Sequence, residues 1–248
     1  MIEIRDLTKS FGDFTAVKDL TLSVDNGELY GFLGPNGAGK TTTVKMITGL
    51  LKPTSGSVTV AGFDVAESPE AAKQVTGYIP DSPYVYPQLA MDEYLDFVEN
   101  LYDLDVESAR EIRDYYFEKF NLGNWHQDLI RNLSHGMKQK MLFTSIFMME
   151  PEVIVIDEPM VGLDPESSRV FKEALRYEVE ERSTAVFLST HSLEVAQEIC
   201  DTVGILKEGE LISEGPLETL QQTSDETLEE VFLRITREET KAKKEVTG

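Results

Sequence analysis

Gly34-Pro-Asn-Gly-Ala-Gly-Lys-Thr41 matches the spacing G-x-x-x-x-G-K-[ST]. Phosphate binding is the natural use of such a segment. Its glycines let backbone N–H groups turn inward around phosphate oxygens. A helix starting near the lysine adds the positive end of its dipole. Gly34, Pro35, Asn36, Gly37, Ala38 and Gly39 would wrap the phosphates, with Thr42 beside them. Lys40 is expected to reach the β- and γ-phosphates, and the Thr41 hydroxyl to ligate Mg²⁺. A second group lies far along the chain, where Val153-Ile-Val-Ile runs into Asp157-Glu158. Asp157 can hold Mg²⁺ through its waters, and Glu158 can orient or deprotonate an attacking water. Each motif alone has a plainer reading, a glycine-rich turn or a solvated strand end. Together they point to a nucleoside triphosphate that is bound and hydrolysed.

The flanking elements must position these groups. Met1–Ile4 and Leu20–Val24 alternate apolar and polar residues, as half-buried strands do, and Glu28–Leu33 leads directly into the loop. Helical spacing over Thr42–Leu50 sets Val44, Ile47 and Leu51 on one side. A turn at Lys52–Gly56 precedes strands at Ser57–Val60 and Gly77–Ile79. Residues 84–150 change character and predict helices at Ala90–Leu101, Ser108–Phe120 and Ser134–Met149. The continuous apolar run at 153–156 predicts a strand buried on both faces, whose carboxyl end is where open parallel sheets bind ligands. Further expectations are a helix at Pro165–Arg182, a strand at Thr184–Leu188, a helix at Leu193–Cys200 and a hairpin of Thr202–Leu206 with Glu210–Ser213. Residues 217–248 read as an acidic helical extension ending in Lys241-Ala-Lys-Lys-Glu245. The fold class is therefore α/β, with a strand-rich N-terminal part and a helical insertion.

Bulk composition narrows the setting. The chain has 248 residues, enough for a sizeable core, and its one cysteine, Cys200, forbids an intrachain disulfide. Met1-Ile-Glu-Ile-Arg-Asp6 has neither the basic nor the apolar region of a signal peptide. The longest nearly apolar stretch, Met141–Met149, is far short of the roughly 20 residues a membrane span requires. A formal net charge of −22 repels phosphate backbones and anionic lipid, so no nucleic-acid partner is expected. Such acidity serves solubility, or faces a basic protein partner.

Three further segments occur in a fixed order around these motifs: Leu133-Ser-His-Gly-Met137, Gly162-Leu-Asp164, and His191 after Leu188-Ser-Thr190, while the acidic pair itself extends to Asp157-Glu-Pro159. In this order the sequence resembles an ATP-binding cassette (ABC) ATPase over roughly residues 3–216, with the helical part inserted at about 84–150. The resemblance implies a P-loop core of ABC ATPase type with an N-terminal antiparallel β subdomain. It makes Ser134, His135 and Gly136 a signature motif, Glu158 the catalytic glutamate, His191 a switch histidine and Phe11 an adenine-stacking aromatic. Seen alone, His191 reads as a strand-end histidine and Phe11 as a packing residue. Stacking is also indifferent to the base, so ATP as cofactor follows from the resemblance.

The physical reading of the signature agrees. Ser134 is a natural N-cap for the helix that follows, and that helix start is a second anion site. The family packs two subunits head to tail, the signature of one covering the γ-phosphate held by the other. The resemblance thus implies a second ABC ATPase subunit, identical or different, and ATP hydrolysis that opens the sandwich. It also implies an integral-membrane permease docking near the helical insertion and Tyr84-Val-Tyr-Pro87. The ATPase would then be peripheral, on the cytoplasmic face of the cell membrane. The tail Thr227–Thr236 looks like that of drug- and polysaccharide-export ATPases, although Leu228, Val231, Phe232 and Ile235 also suit an ordinary amphipathic helix. A soluble ATPase of the same superfamily acting on a protein assembly is the alternative. Two positions depart from the family: His135 replaces the first signature glycine, and Asp81 stands where a metal-ligating glutamine is usual.

Overall fold

The computed structural model describes residues 1–160, 162–221 and 226–235. The chain opens on a hairpin of β1 (Ile2–Phe11) and β2 (Phe14–Val24), longer than the short alternating segments predicted. Both strands continue past their alternating stretches because polar Thr, Lys and Ser residues suit their exposed side. β3 (Leu29–Leu33) is buried at every position and feeds α1 (Lys40–Ile47). That helix stops earlier than its spacing suggests, at Thr48, because Gly49 takes a left-handed φ of 68°. β4 (Ser55–Val60) absorbs the end of the expected turn. β5 (Phe63–Asp64) and α2 (Pro69–Gln74) were not predicted, being too short to show a period. β6 (Thr76–Ile79) follows.

The insertion comprises α3 (Met91–Leu101), α4 (Val106–Lys119) and α5 (His135–Met148). α4 begins before the expected Ser108 because Asp105 caps it, its carboxylate accepting from the Ser108 N–H. Then come β7 (Val153–Asp157), α6 (Pro165–Arg182), β8 (Ala185–Thr190), α7 (Leu193–Ile199), and the hairpin β9 (Thr202–Lys207) and β10 (Glu210–Pro216). The tail is broken rather than one helix: α8 (Leu217–Leu220) is separate from a helix over 228–235. Thr236 and the Lys241–Glu245 stretch of the predicted extension lie outside the described residues.

Two sheets result. One is antiparallel, in the order β2-β1-β4-β5. The other runs β10-β9-β3-β8-β7-β6, parallel except for the final hairpin. β7 shows why a continuous apolar run was needed. Ile154 and Ile156 join the core under the helices, while Val153 and Val155 join the core shared with the N-terminal sheet. The expected α/β class, antiparallel N-terminal sheet and helical insertion are all present. Leu33, Ala196 and Val203 form a third cluster with Leu228 and Val231, so the helix at 228–235 packs behind the strand that enters the phosphate loop.

Aromatic stacking ties the insertion to the core. Phe143 of α5 and Phe171 of α6 stack with centroids 3.9 Å apart, both fully buried. Phe171→Ala removes that contact and leaves a cavity between two helices. It is expected to cost about 3–5 kcal/mol, read as a lower midpoint in urea unfolding with an unchanged slope.

Candidate functional site

Strand register brings the predicted residues to one sheet edge. Leu33 pairs with Thr190, Asp157 with Ser189, and Ile79 with Ile156. Gly34, Asp157-Glu158, Thr190-His191 and Asp81 therefore all leave the sheet on the side where an open parallel sheet binds ligands.

The loop is built for close backbone approach. Gly39, at φ 111°, presses its α-carbon against the Ala16 carbonyl, where any β-carbon would collide. Lys40 begins α1, and no acidic side chain occupies the first turn, so the helix start stays positive. Lys40 is only 6% exposed, and its ammonium donates to the Gly34 carbonyl at 2.7 Å and the Pro35 carbonyl at 3.3 Å. Burial lowers its pKa, and the Glu158 and Asp157 carboxylates pull it back up. A cation held this way is placed to exchange loop carbonyls for phosphate oxygens.

Asp157 is 1% exposed. Its Oδ1 accepts from the Ser189 hydroxyl at 3.0 Å, while Oδ2 is buried with no hydrogen-bond partner among the described residues. Burial raises its pKa, the Thr41 and Ser189 hydroxyls lower it, and Asp81 and Glu158 raise it further by repulsion. An orphaned carboxylate oxygen beside a threonine hydroxyl is a hard oxygen donor set of the kind Mg²⁺ takes. Asp81 is exposed and near enough to repel Asp157, yet no three His, Cys, Asp or Glu side chains among the described residues converge as a metal cluster.

Glu158 adopts a left-handed φ of 51°, uncommon for a non-glycine residue and costly to hold. Its N–H is fixed by the Ser189 carbonyl at 2.9 Å. Its carboxylate accepts from Thr190 Oγ1 at 3.1 Å through Oε2 and meets His191 Nδ1 at 2.8 Å through Oε1. The Thr190 hydroxyl oxygen accepts in turn from the Ser192 N–H at 3.0 Å, which orients its proton toward Glu158. Thr190 was not singled out from the sequence. The available signal was a hydroxyl closing a buried strand next to the acidic pair.

The signature residues occupy another place. Ser134 caps α5, its hydroxyl accepting from the Met137 N–H at 3.2 Å. A β-carbon on Gly136 would lie 2.5 Å from the Gly162 carbonyl, and one on Gly162 would lie 2.8 Å from the His135 ring. The His135 imidazole thus packs on the Gly162 loop of its own chain. Lys140 reinforces the contact, bonding Asp164 at 2.9 Å, and Asp164 caps α6. Neither Lys140 nor its role was visible in the sequence. Phe11 sits at the tip of the first hairpin, 51% exposed, with Lys9 Nζ 5.1 Å from its ring centroid.

The comparisons with known proteins agree with this geometry. The family described as ABC transporter matches residues 17–161. The Probable multidrug ABC transporter ATP-binding protein YbhF of Escherichia coli (strain K12) is 36% identical over 241 residues. That match covers 95% of this chain but only 41% of the relative, so the chain spans about two fifths of that protein's length. A solved ATP-binding subunit of an ABC transporter superposes with a TM-score of 0.91 at 30% identity, covering 95% of this chain and 99% of that one. A dimeric ATP-binding cassette bound to ADP and Pi in a post-hydrolysis state shares the fold, with a TM-score of 0.79 at 23% identity over 88% of this chain and 99% of that one. The motifs, the sheet edge that gathers them and these matches together make this chain a member of the ABC transporter family, of the ATP-binding cassette kind.

Proposed function

We propose that this chain is the ATP-hydrolysing subunit of a transporter, converting ATP and water to ADP and phosphate to drive a separate membrane permease. The observation that carries the reading is the array of Glu158, Thr190 and His191 on the edge that holds Lys40. Glu158, fixed by Thr190 and His191, accepts a proton from the attacking water, and His191 holds the γ-phosphate. The loop from Gly34 to Thr42 wraps the phosphates, and Phe11 takes the adenine face. Thr41 and Asp157, with Asp81 nearby, would hold Mg²⁺, which would supply positive charge against the nucleotide phosphates.

Ser134, His135 and Gly136 close over the nucleotide of a second cassette. His135 tunes this closure, because its ring rests on Gly162 rather than leaving that space to a glycine. His135→Gly is expected to alter ATP-driven dimerisation and the pH profile of turnover, and to leave nucleotide binding by the monomer within about twofold. Light scattering and phosphate release across pH check this. Unchanged activity with an unchanged pH profile overturns it.

The permease docks in a groove of about 550 Å³ between α1 and α3, walled by Tyr84, Val85, Tyr86, Phe97 and Leu101. Tyr84, Tyr86, Phe97 and Leu101 are all exposed there. The net charge of −22 suits the Lys- and Arg-rich cytoplasmic loops of membrane proteins. Among the described residues no helix is long and apolar enough to cross a membrane; the acidic match to cytoplasmic loops is what supports a peripheral subunit on the cytoplasmic face. The name of a further relative, the Nod factor export ATP-binding protein I of Burkholderia orbicola (strain AU 1054), 35% identical over 214 residues, supports export as the direction. Co-purification from detergent-solubilised membranes tests the assignment: a salt-sensitive membrane partner is expected. Recovery with a soluble protein assembly alone would support the alternative role instead.

A further inference from the structure

A second cavity of about 520 Å³ opens between α4, α5 and α6, away from every nucleotide-binding residue named above. Its walls are aromatic: Tyr115, Tyr116, Phe147 and Tyr177 line it. Tyr116 stacks on Phe147 at 4.7 Å, forming a rigid inner wall. Glu178, 2% exposed, is also in the lining.

Glu178 is poorly satisfied for a buried carboxylate. Thr184 Oγ1 lies 3.5 Å from it, but that hydroxyl has one proton and a nearer acceptor, the Pro151 carbonyl at 3.2 Å. Arg182 Nε is 3.6 Å away, while the same guanidinium holds Glu150 at 2.6 Å. Burial pushes the Glu178 pKa up to about 7, Arg182 opposing and Glu150 adding to the rise. A carboxylate left this way gains from a proton or a cation. The tyrosine faces favour the same sign of charge: Lys119 Nζ lies 5.4 Å from the Tyr115 ring and Arg182 Cζ 5.7 Å from the Tyr177 ring. The cavity carboxylates Glu111, Glu173 and Glu178 outnumber its cations Lys119 and Arg182. Arg169 offsets Glu173 and Glu150 offsets Arg182, so the negative excess stays.

We propose that this cavity binds a small organic cation, a protonated or quaternary amine with an apolar body, seated against the tyrosine rings with its charge facing Glu178. An anion would face the same carboxylate unpaired, and a neutral ligand would leave it unmet. The site stands independently of ATP hydrolysis and of the permease.

Titration calorimetry of the nucleotide-free protein with benzyltrimethylammonium tests it, with benzoate as the anionic control. The charged and titratable groups around Glu178 are Glu111, Tyr115, Tyr116 and Lys119 from α4, Glu150 after α5, and Glu173, Tyr177 and Arg182 from α6. Side chains of these other types do not ordinarily change charge between pH 6 and 8. Affinity for the ammonium should therefore rise about tenfold over that range, as Glu178 ionises. Glu178→Gln keeps the shape without the charge. It should weaken binding about tenfold at pH 8, flatten the pH profile and leave ATP binding unchanged. Tyr177→Leu, at a half-exposed rim position, should weaken binding about threefold without affecting the fold. Absence of ammonium binding to the native protein, equal binding to Glu178→Gln, or benzoate binding as tight as the ammonium would each overturn the proposal.

Discussion

Glu158→Gln is expected to lower ATP turnover by roughly 10²–10⁴-fold, about 3–5 kcal/mol of transition-state stabilisation. The substitution keeps the side-chain shape. A glutamine carbonyl still accepts from Thr190 Oγ1 at the 3.1 Å contact, while its amide N–H donates to His191 Nδ1 once the imidazole proton sits on Nε2, so the 2.8 Å contact is kept with its direction reversed. What disappears is the capacity to accept a proton from water. Lys40 and the loop are untouched, so ATP affinity of the monomer should stay within about twofold of the native value. Bound ATP that cannot be cleaved should hold two cassettes together, and a stable ATP-dependent dimer should accumulate. Phosphate release and size-exclusion chromatography read both effects. A variant that keeps a third of native turnover would remove Glu158 from the role of base and shift it to His191 or to the nucleotide itself.

The chemistry of the edge was legible because its motifs are local. Gly34–Thr41 follows directly on its strand, Val153–Glu158 contains its own, and the burial of 153–156 on both faces follows from four apolar residues in a row. Family order alone supplied His191 as a site residue, and its contact with Glu158 appears only in the fold. Physically it depends on β7 and β8 lying side by side in register, which no short window records. The same holds for His135. Its place beside a phosphate site was expected, but its packing on Gly162 arises from where α5 meets the loop before α6. Phe11 was read as an adenine-stacking aromatic or, taken alone, as a packing residue, and the hairpin leaves it half-exposed: β1 and β2 turn there with no covering element among the described residues. Glu178 gave no signal whatever. On α6 it is one acid among several, and the α4 tyrosines that line its cavity are brought there only by the insertion's fold.

Lys40→Ala should separate nucleotide affinity from fold stability. The Lys40 ammonium is held against two loop carbonyls, and burial disfavours its charge. Its removal deletes two hydrogen bonds but also an expensive desolvated cation, so the two terms oppose. The stability of the free protein should shift by no more than about 1 kcal/mol. With nucleotide the terms no longer cancel, because the ammonium then meets phosphate oxygens. Losing a charge-assisted contact of that kind should weaken ATP binding about 100-fold, near 2.7 kcal/mol. Ligand linkage makes the difference visible in one experiment. At an ATP concentration about 100 times the native Kd, the native protein gains about 2.7 kcal/mol of stability, and the variant only about 0.4 kcal/mol. Thermal unfolding with and without ATP reads both numbers. A variant melting well below the native free protein would show that Lys40 holds the loop together. An ATP-induced rise as large as the native one would show that the backbone amides of Gly34–Gly39 and the start of α1 suffice to bind the phosphates.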